Sequence, residues 1–310
     1  MNRALDSLIS RILALFDRRT NSVSTIWSRR LPVFPDVEIR DLAVGKVLNS
    51  AILIQGPIYQ DPHSTFDICE RYCKLYPESR VVLSTWDSQD TTIFEEMEFP
   101  NFHLVKTKKP IFAGPSNINL QIASTRAGLE FIEALGIERV LKTRSDLFLF
   151  SETFLNSCDY FFTKYSEWDH DRIIVPGFNS FLFREYSLTD QIMYSSTKNL
   201  ARFWGCNFVS QVEENFISEK YLIHSYLQNI GANADVSLRR SLEVYRDYFV
   251  VVDSAEFNII WNKGTRREVL SRYQELPFPN LSSEITHSIW LRLQGDVEPI
   301  FMAGQSLKNL

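Results

Sequence analysis

Three side chains with clear chemical potential, Lys142, Arg144 and Asp146, directly follow the apolar pair Val140-Leu141. An apolar strand that turns abruptly polar is typical of a buried strand that reaches the carboxyl edge of an α/β sheet, where ligands bind. The two cationic groups are suited to pair with the oxygens of a diphosphate, and the carboxylate would lie near the phosphates. The alternative for Asp146 is a structural role, as a turn cap or as the ion-pair partner of Arg144.

Two earlier apolar runs also end in polar residues or in Gly-Pro. The carboxyl ends of parallel strands lie side by side, so these residues are expected to share one site. Gly56 would let a ligand approach the backbone closely, and Trp86 or Tyr59 could stack on a base. The alternative is that Gly56-Pro57 is simply a turn. The donor-binding residues predicted at these two strand ends are Gln55, Gly56, Pro57, Tyr59, Ser84, Thr85 and Trp86.

A polar face is predicted on the helix that precedes the central strand. Gln121, Ser124 and Gly128 recur there at helical spacing, and Asn119 lies just before them. A polar face with a glycine beside a sheet edge can admit a ligand, although a solvated face has the same pattern. Asn119, Gln121 and Ser124 are therefore added to the predicted donor-binding set, together with Lys142 and Arg144.

Acid–base candidates come from the second half of the chain. A transferase that inverts the configuration at the reacting carbon needs one carboxylate to take the proton from the acceptor hydroxyl. Asp190, at a predicted helix start, and Glu219, in the first turn of the next helix, are the candidates beside Asp146. The alternative for both residues is that the acid only caps its helix, since an acid is favoured in the first turn for that reason alone. His287 is the candidate that could complete a metal site with Asp146, and its alternative is a structural role.

Strands alternate with helices through the first half, which predicts an α/β fold with a doubly wound, mostly parallel sheet and helices on both faces. The predicted strands are residues 51–54, 80–86, 103–107, the run around Val140-Leu141, 173–175 and 249–252. The predicted helices are 64–76, 90–97, 117–135, 152–163, 188–204, 218–230 and 282–293. The expected organisation is an N-terminal helix and connection (1–49), a nucleotide-sugar-binding half (50–150) and a helical acceptor-binding half of the same domain (151–310).

Composition and missing motifs exclude several classes. The formal charge of −5 and pI near 5.7 argue against a nucleic-acid-binding protein. The sequence has no Gly-x-Gly-x-x-Gly after the first strand, no P-loop and no His-Glu-x-x-His, which disfavours dinucleotide enzymes, P-loop NTPases and zinc proteases. The four cysteines fit reduced thiols in a cytoplasmic protein. No run approaches the length of a membrane span, and the first residues do not form a signal peptide.

Residues 3–19 predict an amphipathic helix whose polar face carries arginines. Such a helix can lie on an anionic membrane surface. The alternative is packing against its own domain or against a second copy in a homo-oligomer.

The motifs taken together resemble the WavE lipopolysaccharide-synthesis family, over about residues 50–260 and most strongly over 51–150. The segments that carry the resemblance are Leu53-Ile54-Gln55-Gly56-Pro57-Ile58-Tyr59, Leu83-Ser84-Thr85-Trp86, the run from Asn117 to Leu129, and Leu141-Lys142-Thr143-Arg144-Ser145-Asp146. The resemblance implies a GT-A-like fold and a role in surface-polysaccharide assembly. The last segment is also similar to the Asp-x-Asp motif of GT-A glycosyltransferases, with Arg144 in place of the first acid.

The function implied is transfer of a sugar from a nucleotide-sugar donor to a hydroxyl of a lipopolysaccharide or capsule glycan, or of a lipid-linked glycan. The GT-A likeness implies Mn²⁺ or Mg²⁺ at Asp146, and the loss of the first acid makes a metal-independent reaction the alternative. The expected location is cytoplasmic or peripheral on the inner face of the bacterial inner membrane. Two other functions remain open, a non-catalytic scaffold of GT-A shape and a nucleotidyltransferase.

Overall fold

The computed structural model describes residues 47, 49–59, 65–166, 171–211, 214–261 and 284–308. The predicted amphipathic helix over residues 3–19 lies outside this part of the chain. Among the described residues, no helix combines the length and the apolar content needed to cross a bilayer.

Seven strands form one sheet in the order β3-β2-β1-β4-β7-β6-β8. These strands are β1 (Ser50–Gln55), β2 (Arg80–Trp86), β3 (Phe102–Thr107), β4 (Arg139–Arg144), β6 (Ile173–Pro176), β7 (Met193–Ser196) and β8 (Phe249–Val252). β1 is parallel to β2 and β4, β2 to β3, and β6 to β8, whereas β7 is antiparallel to both of its neighbours. Strands β5 (Leu147–Leu149) and β9 (Ile259–Trp261) form a separate antiparallel pair.

The order of the sheet reverses at β1. The chain runs outward from β1 to β2 and β3, then returns to place β4 on the other side of β1. The carboxyl ends of β1 and β4 therefore flank a topological switch point, which is where open α/β sheets bind ligands. The sheet continues from β4 into β7, β6 and β8, so strands from both halves of the chain belong to it.

The helices in chain order are α1 (Thr65–Leu75), α2 (Thr92–Glu95), α3 (Ile118–Ala134), α4 (Phe154–Tyr165), α5 (Thr197–Trp204), α6 (Ser218–Asn229), α7 (Leu238–Tyr248), α8 (His287–Leu293) and α9 (Glu298–Lys308). Every residue of β1 is buried, although successive side chains of a strand point to opposite faces, so helices must cover both faces. Helix α3 contacts β1, β2 and β3, and α1 contacts β2. The predicted fold class is confirmed.

Helix α3 approaches the sheet closely at Gly128. A Cβ atom at this position would lie 2.2 Å from Leu53 Cδ1, far inside van der Waals contact. The absence of a side chain at Gly128 is therefore explained by packing against β1, not by admission of a ligand.

The largest difference from the predicted elements concerns residues 188–204, of which only α5 is helical and β7 takes the preceding positions. β7 pairs with the open edge of β4, with Met193 opposite Lys142. This pairing satisfies the backbone and outweighs a helical periodicity, because intrinsic propensity is a weak signal that tertiary context overrides. Asp190 is consequently not at a helix start; it lies just before a strand that begins beside the carboxyl end of β4.

Helices α7 and α9 and the β5–β9 pair were not predicted. The signal for α7 was present, because Leu238, Leu242 and Tyr245 recur at helical spacing and all three are buried. Strand β5 has only three residues, and its pairing with β9 joins segments far apart in sequence. Such a short, long-range pair leaves no pattern that sequence alone could reveal.

Candidate active site

A cavity of about 250 Å³ opens at the switch point between β1 and β4. The residues that line it come from the ends of β1, β2 and β4, from the loop after β3 and from the start of α3: Gln55, Gly56, Pro57, Trp86, Ser88, Gln89, Lys109, Ser116, Asn117, Leu120, Gln121, Arg144, Ser145 and Asp146. The expected convergence of Gln55, Trp86 and Asp146 at one sheet edge is confirmed.

An ion pair lies in the cavity wall at the end of β4. Arg144 donates from Nε to Asp146 Oδ1 at 2.8 Å and from Nη2 to Asp146 Oδ2 at 2.9 Å, a bidentate arrangement. The Asp146 side chain is 2% exposed and that of Arg144 is 15% exposed. Burial alone would lower the pKa of Arg144, but the bonds to Asp146 outweigh it and the pKa is raised. Two of the five guanidinium N–H groups serve this pair, which leaves donors for an anion in the cavity.

The loops at the ends of β1 and β4 are bonded to each other. Ser145 N–H donates to Gln55 O at 3.0 Å, and Ser145 Oγ donates to Pro57 O at 2.7 Å. Gly56 has a φ of +127°, a backbone conformation that favours glycine. These contacts fix the cavity floor between Gln55 and Asp146.

The Gly56→Ala variant is expected to lose stability and ligand binding together. Its Cβ would lie 2.6 Å from Ser145 Oγ and would require a φ that L residues rarely adopt. We expect a cost of about 1–3 kcal/mol in the free energy of unfolding, measured by urea denaturation. Gly136→Ala is the matched control for positive φ, because a Cβ there would meet no atom within 4 Å. Equal losses in the two variants would contradict a specific role for the Gly56–Ser145 contact.

Three predicted donor-binding side chains support the wall from behind and do not line the cavity. Ser84 Oγ donates to Ser124 O at 2.7 Å, and Ser124 Oγ donates to Gln55 Oε1 at 2.8 Å. Thr85 Oγ1 donates to Gln89 Oε1 at 2.6 Å, and Gln89 Oε1 also accepts from Ile58 N–H at 3.1 Å. These bonds orient Gln55 and Gln89, which do face the cavity.

Asn119 and Tyr59 also lie outside the residues that line the cavity. Asn119 Nδ2 donates to Phe112 O at 3.1 Å and to Val209 O at 2.9 Å, while its Oδ1 accepts from Val209 N–H at 2.8 Å. Its side chain therefore ties two loops together instead of meeting a ligand. Tyr59 lies within electrostatic range of Arg144.

Lys142 is not at the cavity, which corrects its predicted contact with a diphosphate. Its side chain is fully buried, and Nζ lies 4.5 Å from the centroid of the Trp204 ring and donates to Asp190 O at 2.5 Å. Side chains two residues apart on a strand point to the same face of the sheet, so Lys142 and Arg144 share a face. Lys142 is further from the carboxyl end of β4 and therefore lies deeper in the protein. Burial lowers the pKa of Lys142 to about 7.

Asp190, like Lys142, lies behind the cavity wall. It is 5% exposed, and its Oδ2 is buried with no hydrogen-bond partner among the described residues. Its charge acts on both Lys142 and Arg144, so it lies within electrostatic range of the ion pair. Asp190 does not line the cavity, so its role as the base stays a prediction.

Glu219 and His287 do not line the cavity. Glu219 lies in the first turn of α6, where its charge acts on Tyr245. His287 begins α8 and stacks on Trp290 with ring centroids 5.5 Å apart, and its Nδ1 is 2.8 Å from Val251 O. The ring of His287 packs in an aromatic cluster against β8, which β7 and β6 separate from β4, and its pairing with Asp146 at one metal stays a prediction.

The residues present do not fit a divalent metal ion on their own. Both carboxylate oxygens of Asp146 already accept from Arg144. In the described part of the chain, no group of three or more His, Cys, Asp or Glu side chains is arranged to hold a metal. Hard cations such as Mg²⁺ need several oxygen ligands, and one carboxylate paired with a guanidinium is a poor start.

A larger cavity, of about 1040 Å³, opens at the opposite edge of the sheet. Arg139, the first residue of β4, and Ser196, which pairs with it, are among its lining residues. Size alone would favour this cavity as the site. We assign the site to the smaller one, because it lies at the carboxyl ends of the strands and at the switch point.

Sequence reasoning missed several cavity residues. Lys109 lies two residues after the end of β3, so the rule used for the other strand ends would have identified it. Ser116 and Asn117 have positive φ values of 52° and 60° in the turn before α3, which pattern reasoning cannot detect. Gln121 was predicted and lines the cavity; its Oε1 is buried with no partner among the described residues.

Fold and cavity together define an α/β protein with a doubly wound, mostly parallel sheet and a cavity at its switch point. Within this class, the chain belongs to the WavE lipopolysaccharide synthesis family, whose model matches residues 50–238. A comparison with curated proteins found no match.

Several solved structures are similar to the chain. A 4-diphosphocytidyl-2C-methyl-D-erythritol synthase is 10% identical and aligns over 73% of this chain and 98% of its own, with a TM-score of 0.45. A cytidylyltransferase from Leptospira borgpetersenii is 11% identical over 84% and 96%, with a TM-score of 0.40. A glycosyltransferase involved in the glycosylation of the major capsid of PBCV-1 is 11% identical over 73% and 99%, with a TM-score of 0.37.

Proposed function

We propose that the protein is a glycosyltransferase that moves a sugar from a nucleotide-sugar donor to a hydroxyl of a lipopolysaccharide or capsule glycan. The observation that carries the proposal is the Arg144–Asp146 pair in the wall of the switch-point cavity. Membership of the WavE lipopolysaccharide synthesis family supports the class of acceptor.

The cavity suits the diphosphate of a nucleotide sugar. Arg144, held by Asp146, and Lys109 are the two cationic side chains that line it. In transfer, the bond between the sugar C1 and the diphosphate oxygen breaks, and negative charge builds on that oxygen. A guanidinium already fixed in place stabilises this charge without reorganisation, which is the most effective form of electrostatic catalysis.

Other cavity residues suit the neutral parts of the donor. Gln121 Oε1 is an acceptor without a partner among the described residues, so a sugar hydroxyl could donate to it. Trp86 offers an indole face to a base or a sugar ring. These contacts would bind the donor, whereas the cations act on the departing group.

The acceptor hydroxyl must lose its proton as it bonds to C1, and Asp190 is our candidate for the base. Its carboxylate acts electrostatically on Arg144 and has an oxygen with no hydrogen-bond partner among the described atoms. The Asp190→Asn variant should bind the donor as the unmodified protein does and should not transfer the sugar.

Product analysis tests the proposal directly. The protein is incubated with a panel of nucleotide sugars, with nucleoside triphosphates, and with lipopolysaccharide core or capsule fragments as acceptors. Release of a nucleoside diphosphate that requires the acceptor supports glycosyl transfer. Release of pyrophosphate from a triphosphate would instead assign the protein as a nucleotidyltransferase, and binding without any product would assign a scaffold.

The same assay tests the role of metal. Arg144 occupies both oxygens of Asp146, so we expect turnover to be unchanged by EDTA. A loss of turnover with EDTA that Mn²⁺ or Mg²⁺ restores would contradict this expectation and would require the pair to open when the donor binds.

A further inference from the structure

An exposed loop follows β3 at the rim of the cavity. Ile111 at its tip is fully exposed, and the next residue, Phe112, is 43% exposed. Lys108 and Lys109 precede them, are both exposed, and Lys109 also lines the cavity. A fully exposed isoleucine followed by an exposed phenylalanine is costly in water unless another surface covers them.

A second exposed aromatic adjoins this loop. Phe208 is 48% exposed, and the guanidinium of Arg126 lies 5.6 Å from its ring centroid. The hydrogen bonds of Asn119 to Phe112 O and to both backbone groups of Val209 join the two loops. We call the exposed surface of Lys108, Lys109, Ile111, Phe112 and Phe208 the rim surface.

The base of the loop is fixed although its tip is exposed. Asn119 N–H donates to Ala113 O at 3.0 Å, and Asn117 N–H donates to Gly114 O at 3.2 Å. Gly114 has a φ of +72°, and a Cβ there would lie 2.9 Å from Ile118 Cγ2, so the turn favours glycine. A tip held on a fixed base presents its apolar side chains without a loss of conformational entropy on binding.

We propose that the rim surface docks onto an anionic phospholipid membrane. The charges of the two loops favour this occupant. The chain has a formal charge of −5, yet residues 108–113 contain two lysines and no acidic residue, and residues 205–211 contain no charged residue. Glu95 is already paired with Lys106, at the end of β3 just before the loop.

Basic residues next to exposed apolar ones form the pattern by which proteins attach to anionic interfaces. The lysines are attracted to anionic headgroups while Ile111 and Phe112 enter the acyl boundary. Because Lys109 belongs to both the rim surface and the cavity wall, docking would hold the cavity opening against the lipid. A lipid-linked acceptor would then reach the site from the membrane; the docking itself does not depend on the transferase reaction.

Site-specific labelling tests the proposal in the full chain. All four cysteines of the chain are buried, so the Ile111→Cys variant presents one accessible thiol for an environment-sensitive fluorophore. We expect a blue shift with vesicles of phosphatidylcholine and phosphatidylglycerol, and a much smaller one with phosphatidylcholine alone. Leu135→Cys is the matched control, because Leu135 is 45% exposed at the opposite edge of the sheet and its label should not shift.

Co-sedimentation with the same vesicles provides the second measurement. Phe112→Ser together with Lys108→Gln should weaken binding to the anionic vesicles by about tenfold or more, because one apolar and one cationic contact are lost. Leu135→Ser together with Lys74→Gln should bind as the unmodified chain does. Anionic-vesicle binding that survives the rim substitutions would overturn the proposal, as would a label at residue 111 that shifts only when the protein dimerises or when a glycan is added.

Discussion

Replacement of Asp146 by asparagine is expected to reduce turnover by about a hundredfold or more, which corresponds to ~3–4 kcal/mol of barrier by analogy with the loss of one oxyanion donor. Asp146 accepts two hydrogen bonds from Arg144 in the cavity wall. An amide offers one acceptor and one donor, so one of the two bonds is lost and the guanidinium is no longer fixed where the diphosphate charge develops. The measurement is the rate of nucleoside diphosphate release at saturating donor and acceptor.

The variant must be shown to fold, because a buried cation that loses its partner also destabilises the protein. Circular dichroism and a urea melt provide that check. Arg144→Lys is the second variant: it keeps the charge but cannot form the bidentate pair, and it too should lose most of its turnover.

Asp159→Asn is the matched control. The Arg139–Asp159 pair involves the first residue of β4, whereas the Arg144–Asp146 pair involves the last. Both substitutions remove the carboxylate of an Arg–Asp pair attached to the same strand, but only one pair is at the switch-point cavity. Asp159→Asn should therefore lower stability and leave turnover within about twofold. Near-normal turnover in Asp146→Asn would remove the basis of the proposed mechanism.

The fold was predictable where the chain follows its local patterns. β1, β2 and β3 and the helices between them lie within a few residues of their predicted positions, because apolar runs and helical periodicity decide these elements. The meeting of Gln55, Trp86 and Asp146 followed from one rule, that the carboxyl ends of parallel strands share an edge.

Sequence reasoning misplaced Lys142 and Asp190, because their positions depend on where a side chain points and on strand pairing between distant segments. Lysine and arginine are both suited to bind a phosphate. Only the structure shows that Lys142 is buried against Trp204 and that Arg144 lines the cavity. Asp190 was assigned to a helix because its periodicity is helical, but the open edge of β4 took the following residues into a strand. No local pattern reports such a long-range pairing.

The buried ammonium of Lys142 gives the second large prediction, a pH-dependent stability. Burial lowers its pKa from an ordinary value of 10.5 to about 7. The nearby charges modify this effect: Asp190 and Asp146 raise the pKa, and Arg144 lowers it. At low pH the folded protein therefore contains a charge that its surroundings solvate poorly.

The sign follows from proton linkage. Between about pH 7 and pH 10 the unfolded chain keeps the proton on Lys142 and the folded chain loses it, so the unfolded state binds more protons. The contribution of Lys142 to the free energy of unfolding therefore rises with pH in this window, by up to ~1.4 kcal/mol per pH unit. Below about pH 7 both states are protonated, and the full cost of the buried charge is present.

The Lys142→Met variant removes this charge while it preserves most of the packing against Trp204. We expect its stability relative to the unmodified protein to be greatest at pH 6 and to fall by roughly 2 kcal/mol between pH 7 and pH 9, measured by urea denaturation. Loss of the bond to Asp190 O costs about 1 kcal/mol at every pH and does not affect the slope. The buried cysteines, whose pKa values are raised, also make stability depend on pH, but they do so equally in both proteins and cancel in the difference.

Lys74→Met is the control, because Lys74 is exposed on α1 and pairs with its helical neighbour Glu70. Its stability difference should stay flat from pH 6 to pH 9. Parallel pH curves for Lys142→Met and the unmodified protein would mean that the ammonium remains charged in the fold across this range. The attraction of the Asp190 carboxylate for the ammonium would then outweigh the cost of burying the charge, and the carboxylate would stay paired with Lys142. An acid committed in this way could not serve as the base, so the same titration decides whether Asp190 is available for the proposed reaction.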